Sequence, residues 1–153
     1  MKTAELDRID RQIIASLRAN ARQSFREIGE RVGLSAPAIK RRVDRLEKKG
    51  AITGYCATLN PEVVGWRIRG IVALFCEGRM SAEEVRVLAA GVPEVTAAYT
   101  IAGEGTAILH VLATDPQHLE TILAELREAP GVLRTQTQVI LSTLFERPLD
   151  LDR

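Results

Sequence analysis

Two cysteines, two histidines and no apolar run long enough to span a bilayer set the first limits on this 153-residue chain. The opening MKTAELDRID lacks the apolar core of a secretory signal, so a cytosolic protein without membrane contact is expected. Cys56 and Cys76 each fall in a stretch that reads as extended, and neither belongs to a C-x-x-C or Cys/His cluster. Buried free thiols are expected, with a redox pair as the alternative. His110 stands between Leu109 and Val111 on an expected strand and His118 in the first turn of an expected helix, neither with a partner for acid–base or metal chemistry. G-x-S-x-G, Walker and G-x-G-x-x-G motifs are missing, and AGEGTA has the wrong spacing for the last. No catalytic residue, metal ligand or cofactor is expected.

What the chain does have is an uneven charge. Residues 1–60 hold 13 Lys+Arg and 7 Asp+Glu, a net of +6, while residues 61–153 hold 8 and 13, a net of −5. A basic module followed by an acidic one fits a protein that places one end on a polyanion. We divide the chain into residues 1–51, a connector at 52–66, and a second domain at 67–153.

Residues 24–50, SFREIGERVGLSAPAIKRRVDRLEKKG, read as two short helices around a tight turn. Phe25, Ile28 and Val32 form one apolar stripe at helical spacing. Gly33 can take a left-handed conformation at the helix end, Ser35 is a good N-cap, and Pro37 falls near the first helical position. In the second helix Ile39, Val43 and Leu46 make the packed face, leaving Ala36, Pro37, Ala38, Lys40, Arg41, Arg42 and Arg45 for the outer surface. Small residues first and cations after suit a helix whose first turn approaches base edges while longer side chains reach phosphates. The double-stranded DNA contacts are therefore expected from Ser35, Ala36, Pro37, Ala38, Lys40, Arg41, Arg42 and Arg45, with Arg42 open to an ion-pair role instead. A charge run alone usually means a solvated face, but here the turn chemistry agrees with the charge. Upstream, Leu6, Ile9, Ile13 or Ile14, and Leu17 recur at helical spacing behind Asp7, a plausible N-cap, and complete a three-helix unit. Residues 51–59 look extended, as a wing or a connector strand, before Asn60 and Pro61 break the pattern.

The second domain reads as strand, helix, strand, strand, helix, strand. RGIVALFCE (69–77), residues 95–101, AILHVLAT (107–114) and residues 132–145 are the strands. Ser81 caps a helix over 81–90, with Glu83 and Glu84 in its first turn, and Asp115 caps one opened by Pro116. VPEV (92–95) and APGV (129–132) occupy equivalent places in the two halves, hinting at duplication. The order matches a split βαβ sandwich, so the fold class is α+β with a C-terminal ferredoxin-like βαββαβ domain. Along IVALFC both alternating sets are apolar, as are both sets in the 107–114 strand. Two helices cover one face of a four-stranded sheet, so the other needs a second subunit and a homodimer is expected. A dimer also sets two recognition helices about 34 Å apart, one DNA turn.

LDRIDRQIIASLRANAR (6–22), VGLSAPAIKRRVDRLEKKGAITGY (32–55), LNP (59–61) and AGEGTAILHV (102–111) together resemble the Lrp/AsnC, or feast/famine, family of transcription regulators over almost the whole chain. The resemblance implies a winged helix-turn-helix followed by a ligand-binding domain, dimers that commonly assemble into octamers, a nucleoid-associated cytoplasmic location, and DNA binding modulated by an amino acid or related metabolite. It implies an effector site at a contact between dimers, near the loop of Ala102, Gly103, Glu104, Gly105 and Thr106. Those residue types suit the role: glycines let backbone N–H groups approach a carboxylate, Glu104 could receive an ammonium, and Thr106 offers a hydroxyl. A plain hairpin turn would use the same residues. Tyr99, Thr100, Thr135 and Thr137 are further wall residues on this reading, with edge-strand threonines as the alternative. Sirohaem decarboxylases share the architecture, but Lys40, Arg41, Arg42 and Arg45 argue for DNA. A nucleoid-organising protein of low sequence preference is the third reading.

Overall fold

Each helix of the N-terminal half begins where its sequence offers a cap. In this computed structural model, which describes residues 6–78 and 80–146, α1 (Arg8–Ala19) starts at Asp7 and α2 (Phe25–Val32) at Ser24, both with reciprocal capping boxes. The third helix, α3 (Ala36–Lys48), follows Gly33, which ends α2 with φ +74°. Ile13, Ile14, Leu17, Ile28, Ile39, Val43 and Leu46 form their common core, with Phe25 and Val32 packed at its margin. Gly29 makes the turn tight: a Cβ there would lie 2.3 Å from the Leu34 carbonyl oxygen, so no larger residue fits without moving the chain.

The chain divides into two compact units after Thr58. Residues 51–59, read as a wing or a connector strand, form no strand of either kind: none occurs between α3 and the sheet domain, and residues 53–60 carry no regular structure. An extended segment needs a neighbour to pair with, and none is present among the described residues. Tyr55 ties the connector to α3 by donating to Glu47 Oε1 at 2.9 Å, and burial together with that carboxylate pushes its phenol up to about 12. Cys56, expected to be buried on a strand, is exposed because no strand forms around it; Cys76 is half-buried at a strand end.

The second unit, Leu59–Glu146, contains β1 (Ile68–Cys76), α4 (Ala82–Gly91), β2 (Val95–Thr100), β3 (Ala107–Ala113), α5 (Pro116–Glu128) and β4 (Val132–Val139). The strands form one antiparallel sheet in the order β2-β3-β1-β4, the ferredoxin-like plan. Ser81 caps α4 with a capping box and Asp115 caps α5. Val72, Leu74, Leu109 and Val111 point to the helix side and meet Val85, Ala89, Leu119, Ile122 and Leu126. Ile71, Ala73, Phe75, Ile108, His110 and Leu112 point away and remain half-buried. The two turns before the edge strands match, since Val95 N–H donates to Val92 O and Val132 N–H to Ala129 O, at 3.0 and 3.1 Å. The last strand is shorter than its sequence suggested: β4 stops at Val139, opposite Gly70, because β1 begins at Ile68 and offers only one more bond, from Ile140 N–H to Arg69 O. Residues 1–5 and 147–153, included in the expected domains, lie outside the described residues. Among the described residues no helix is long and apolar enough to cross a membrane.

Candidate nucleic-acid interface and effector loop

The packing of α3 sorts its residues as the periodicity implies. Ile39, Val43 and Leu46 are buried, while Pro37, Lys40, Arg41 and Arg45 are exposed and Ala36, Ala38 and Arg42 half-buried. Ser35 occupies the N-cap position with extended backbone but makes no side-chain capping bond, unlike Asp7, Ser24, Ser81 and Asp115. Its hydroxyl is left over at the positive end of a helix of 13 residues. Leu34, Ala38, Arg41, Arg42 and Arg45 line a shallow recess of about 380 Å³ beside it.

The cations of α3 are not equivalent. Arg42 Nη1 donates to Asp7 Oδ2 at 2.6 Å and Asp10 Oδ1 at 2.8 Å, and Arg45 Nη2 reaches both Asp10 oxygens at 2.7 Å. Asp10 is 2% exposed and is the buried charge at the centre of this cluster. The Arg42 guanidinium, then the Asp10 backbone N–H, hold the Asp7 carboxyl below its ordinary value, and the two carboxylates raise Arg42. Lys40 pairs with Asp44 at 2.8 Å on the surface. Arg41 makes no ion pair among the described residues. Arg42 thus takes the ion-pair role left open for it, and Arg45 shares it. Sequence reasoning missed Asp10 as a partner. The signal was there in Asp-x-x-Asp at 7 and 10 facing Arg-x-x-Arg at 42 and 45, each pair on one side of its helix.

In the sheet unit, Ala102, Gly103 and Glu104 are exposed at the β2–β3 connection. Ile101 N–H donates to Thr106 O, and Thr106 N–H donates to Leu74 O at 2.8 Å. The Thr106 hydroxyl accepts from Cys76 N–H at 3.1 Å, which ties it to β1 and leaves its own proton free. Gly105 is close to Ile101 and Leu74, whereas a Cβ on Gly103 would meet nothing within 4 Å. The register separates the remaining wall candidates. Tyr99 pairs with Ile108 on the open face and is 54% exposed, edge-on to His110. Thr100, Thr135 and Thr137 pair with Ala107, Leu74 and Val72, on the helix-covered face. These four side chains do not form one wall within the chain, because paired residues share a face and these pairs fall on opposite ones.

Elsewhere in this unit, Thr114 N–H donates to His118 Nδ1, His118 Nε2 lies 3.2 Å from Glu94, and the imidazole stacks on Trp66. His118 is therefore satisfied within the fold. Among the described residues no group of three His, Cys, Asp or Glu could hold a metal ion.

Residues 6–47 match the family model of the AsnC-type helix-turn-helix domain, and residues 71–150 that of the Lrp/AsnC ligand-binding domain. The chain belongs to the Lrp/AsnC family. It is 43% identical over 142 residues to the HTH-type transcriptional regulator Rv2324 of Mycobacterium tuberculosis, covering 93% of this chain and 96% of that protein. The feast or famine regulatory protein Rv3291c of M. tuberculosis, solved in complex with L-methionine, is 33% identical, with a TM-score of 0.88 over 95% of this chain and 99% of that one. The regulator NMB0573 of Neisseria meningitidis, also in complex with L-methionine, is 28% identical with a TM-score of 0.89, over 97% and 98%. This Lrp/AsnC protein is a DNA-binding transcription regulator with a C-terminal effector domain, and not an enzyme on the shared architecture.

Proposed function

We propose that the outer face of α3 reads an operator and that the sheet unit joins two copies and senses an amino acid. The observation that carries the DNA reading is the α3 face itself. Its N-terminal turn is free of a side-chain cap, Ala36, Pro37 and Ala38 permit close approach, and Lys40, Arg41, Arg42 and Arg45 follow. Ser35 adds an uncommitted hydroxyl at the start of that turn. Such binding would make the protein nucleoid-associated.

The half-buried apolar face of Ile71, Ala73, Phe75, Ile108 and Leu112 supports a homodimer, since among the described residues α4 and α5 cover the opposite face of the sheet. Assembly of dimers into octamers follows the same reading by family resemblance. For the effector, Ala102, Gly103, Glu104, Gly105 and Thr106 are the core of the site. Gly103 has no packing need within its own chain, which supports a glycine kept for an approach from outside. The L-methionine complexes of two structural neighbours support an amino acid as the ligand class. Tyr99 faces the site from the open face of the sheet, and Thr100, Thr135 and Thr137 from the helix-covered face.

The test is fluorescence anisotropy with a duplex from the gene's own upstream region and a scrambled duplex, with and without L-methionine. Tighter, salt-steep binding to the native duplex is the expected result. Equal affinity for both duplexes would make the protein an architectural DNA binder instead. Gly103→Trp should abolish any ligand response while leaving DNA binding measurable, and a normal response in that variant would remove the loop from the site.

A further inference from the structure

We infer that Asp10, a residue of the first helix, is a positioning residue for DNA binding: with Asp7 it fixes Arg42 and Arg45 as phosphate holders and leaves base reading on α3 to Arg41. The inference rests on the α3 reading above and deepens it.

The argument is one of hydrogen-bond inventory. A guanidinium has five N–H donors. Arg42 Nη1 is committed to Asp7 and Asp10, and Arg45 Nη2 to the two Asp10 oxygens, which lie so close together that one N–H serves both. Arg42 therefore keeps Nε and Nη2, which share one edge and form a fork suited to a phosphate, while Arg45 keeps Nε and Nη1 on opposite edges as separate donors. Both arginines line the recess beside α3, where Arg45 remains 43% exposed along its side chain and Arg42 25%. A side chain anchored at its tip to another helix cannot also extend to the floor of a groove. Arg41 lines the same recess without such an anchor. Asp10 can hold two arginines at once because it is itself fixed, with a 3% exposed side chain that also faces the Asp7 N–H.

Two aspartates beside a DNA-facing helix carry a charge of the wrong sign for a polyanion. On bulk electrostatics alone, removing either would tighten binding; on the positioning reading, it loosens binding. The sign of the effect separates the two.

The full-length chain and its variants are titrated by anisotropy against the upstream and scrambled duplexes across a salt series. Asp10→Asn should weaken both duplexes alike, by about tenfold, and lower the slope of log affinity against log salt by about one. Asp7→Asn, which removes one of the two carboxylates on Arg42 and leaves Asp10 in place, should weaken both by about threefold. Arg45→Ala should mimic Asp10→Asn, and Arg41→Ala should instead cut the upstream-to-scrambled ratio by roughly 10- to 100-fold. Glu30→Gln, an acid removed from the same unit without touching the cluster, should bind as wild type or slightly tighter. Where Asp10→Asn loses its helical circular dichroism, Asp7→Asn decides. Binding by both aspartate variants as tight as wild type or tighter, with an unchanged slope, overturns the positioning role. If Arg41→Ala and Arg45→Ala also bind as wild type, the α3 reading falls and takes the inference with it.

Discussion

In the helical unit a carboxylate, Asp10, is buried and tied to two arginines, whereas the buried core of the sheet unit is apolar throughout. The exteriors are reversed. Three of the five α3 cations, Lys40, Arg42 and Arg45, are already paired within the chain, while the open face of the sheet leaves Ile71, Phe75, Ile108 and Leu112 half-buried. The difference teaches where each unit meets its partner. On the proposed function, buried charge sets the geometry of a polar surface that fits a rigid polyanion, and uncovered apolar area belongs to a surface that meets another like it.

The comparison breaks first if the sheet core is not what holds that unit together. Leu109 is fully buried, so Leu109→Ala should cost about 2–5 kcal/mol in urea unfolding followed by Trp66 fluorescence. A loss well under 1 kcal/mol would mean that the sheet is held by something else. A charge on the open face sharpens the second half of the contrast. Ile71→Glu should weaken dimerisation by about 2 kcal/mol or more in sedimentation equilibrium. A dimer constant unchanged by this substitution would move the interface off this face.

The helical unit is probed more gently. Gly33 holds φ +74°, so Gly33→Ala should cost about 1–2 kcal/mol in thermal unfolding, with the turn between α2 and α3 as the first casualty. The smallest effect belongs to pH. Arg42 lowers the Asp7 pKa in the folded chain, so the folded state binds fewer protons than the unfolded state near and below pH 4. The stability from this pair is fully present above that ordinary carboxylate value and fades as pH falls through the lowered one. Melting temperatures of wild type and Asp7→Asn should therefore converge as the solution is acidified. A gap that widens toward low pH would reverse the assignment.

Local signals carried most of the fold. Capping residues at Asp7, Ser81 and Asp115, the 3.6-residue stripe of α3 and the two apolar faces of β1 each depend on neighbours in sequence, and each stands in the structure, whereas Ser35 holds the N-cap position without a side-chain bond. What could not be read depends on pairing at a distance. The length of β4 was set by where β1 begins, and the thiol of Cys56 was exposed because its segment found no strand to join. In the candidate site, the type of each α3 residue was legible, but the commitment of Arg45 to Asp10 spans 35 residues of chain. That Tyr99 lies on the opposite face from Thr135 and Thr137 was illegible for a related reason: strand register, which decides the face, is not written in any one strand.

The matching turns before β2 and β4 carry one more lesson. They lead into the two edges of the sheet, while β1 and β3 fill its centre, so β1–α4–β2 and β3–α5–β4 are interchangeable halves. Val139 lies opposite Gly70, which brings the end of the second half beside the start of the first. A circularly permuted chain, opened between Gly103 and Glu104 and rejoined there, would trace the same ladder in a different order. The loop is thus a seam between the two halves, and under the proposed effector role its sequence can change without altering the strands of either half.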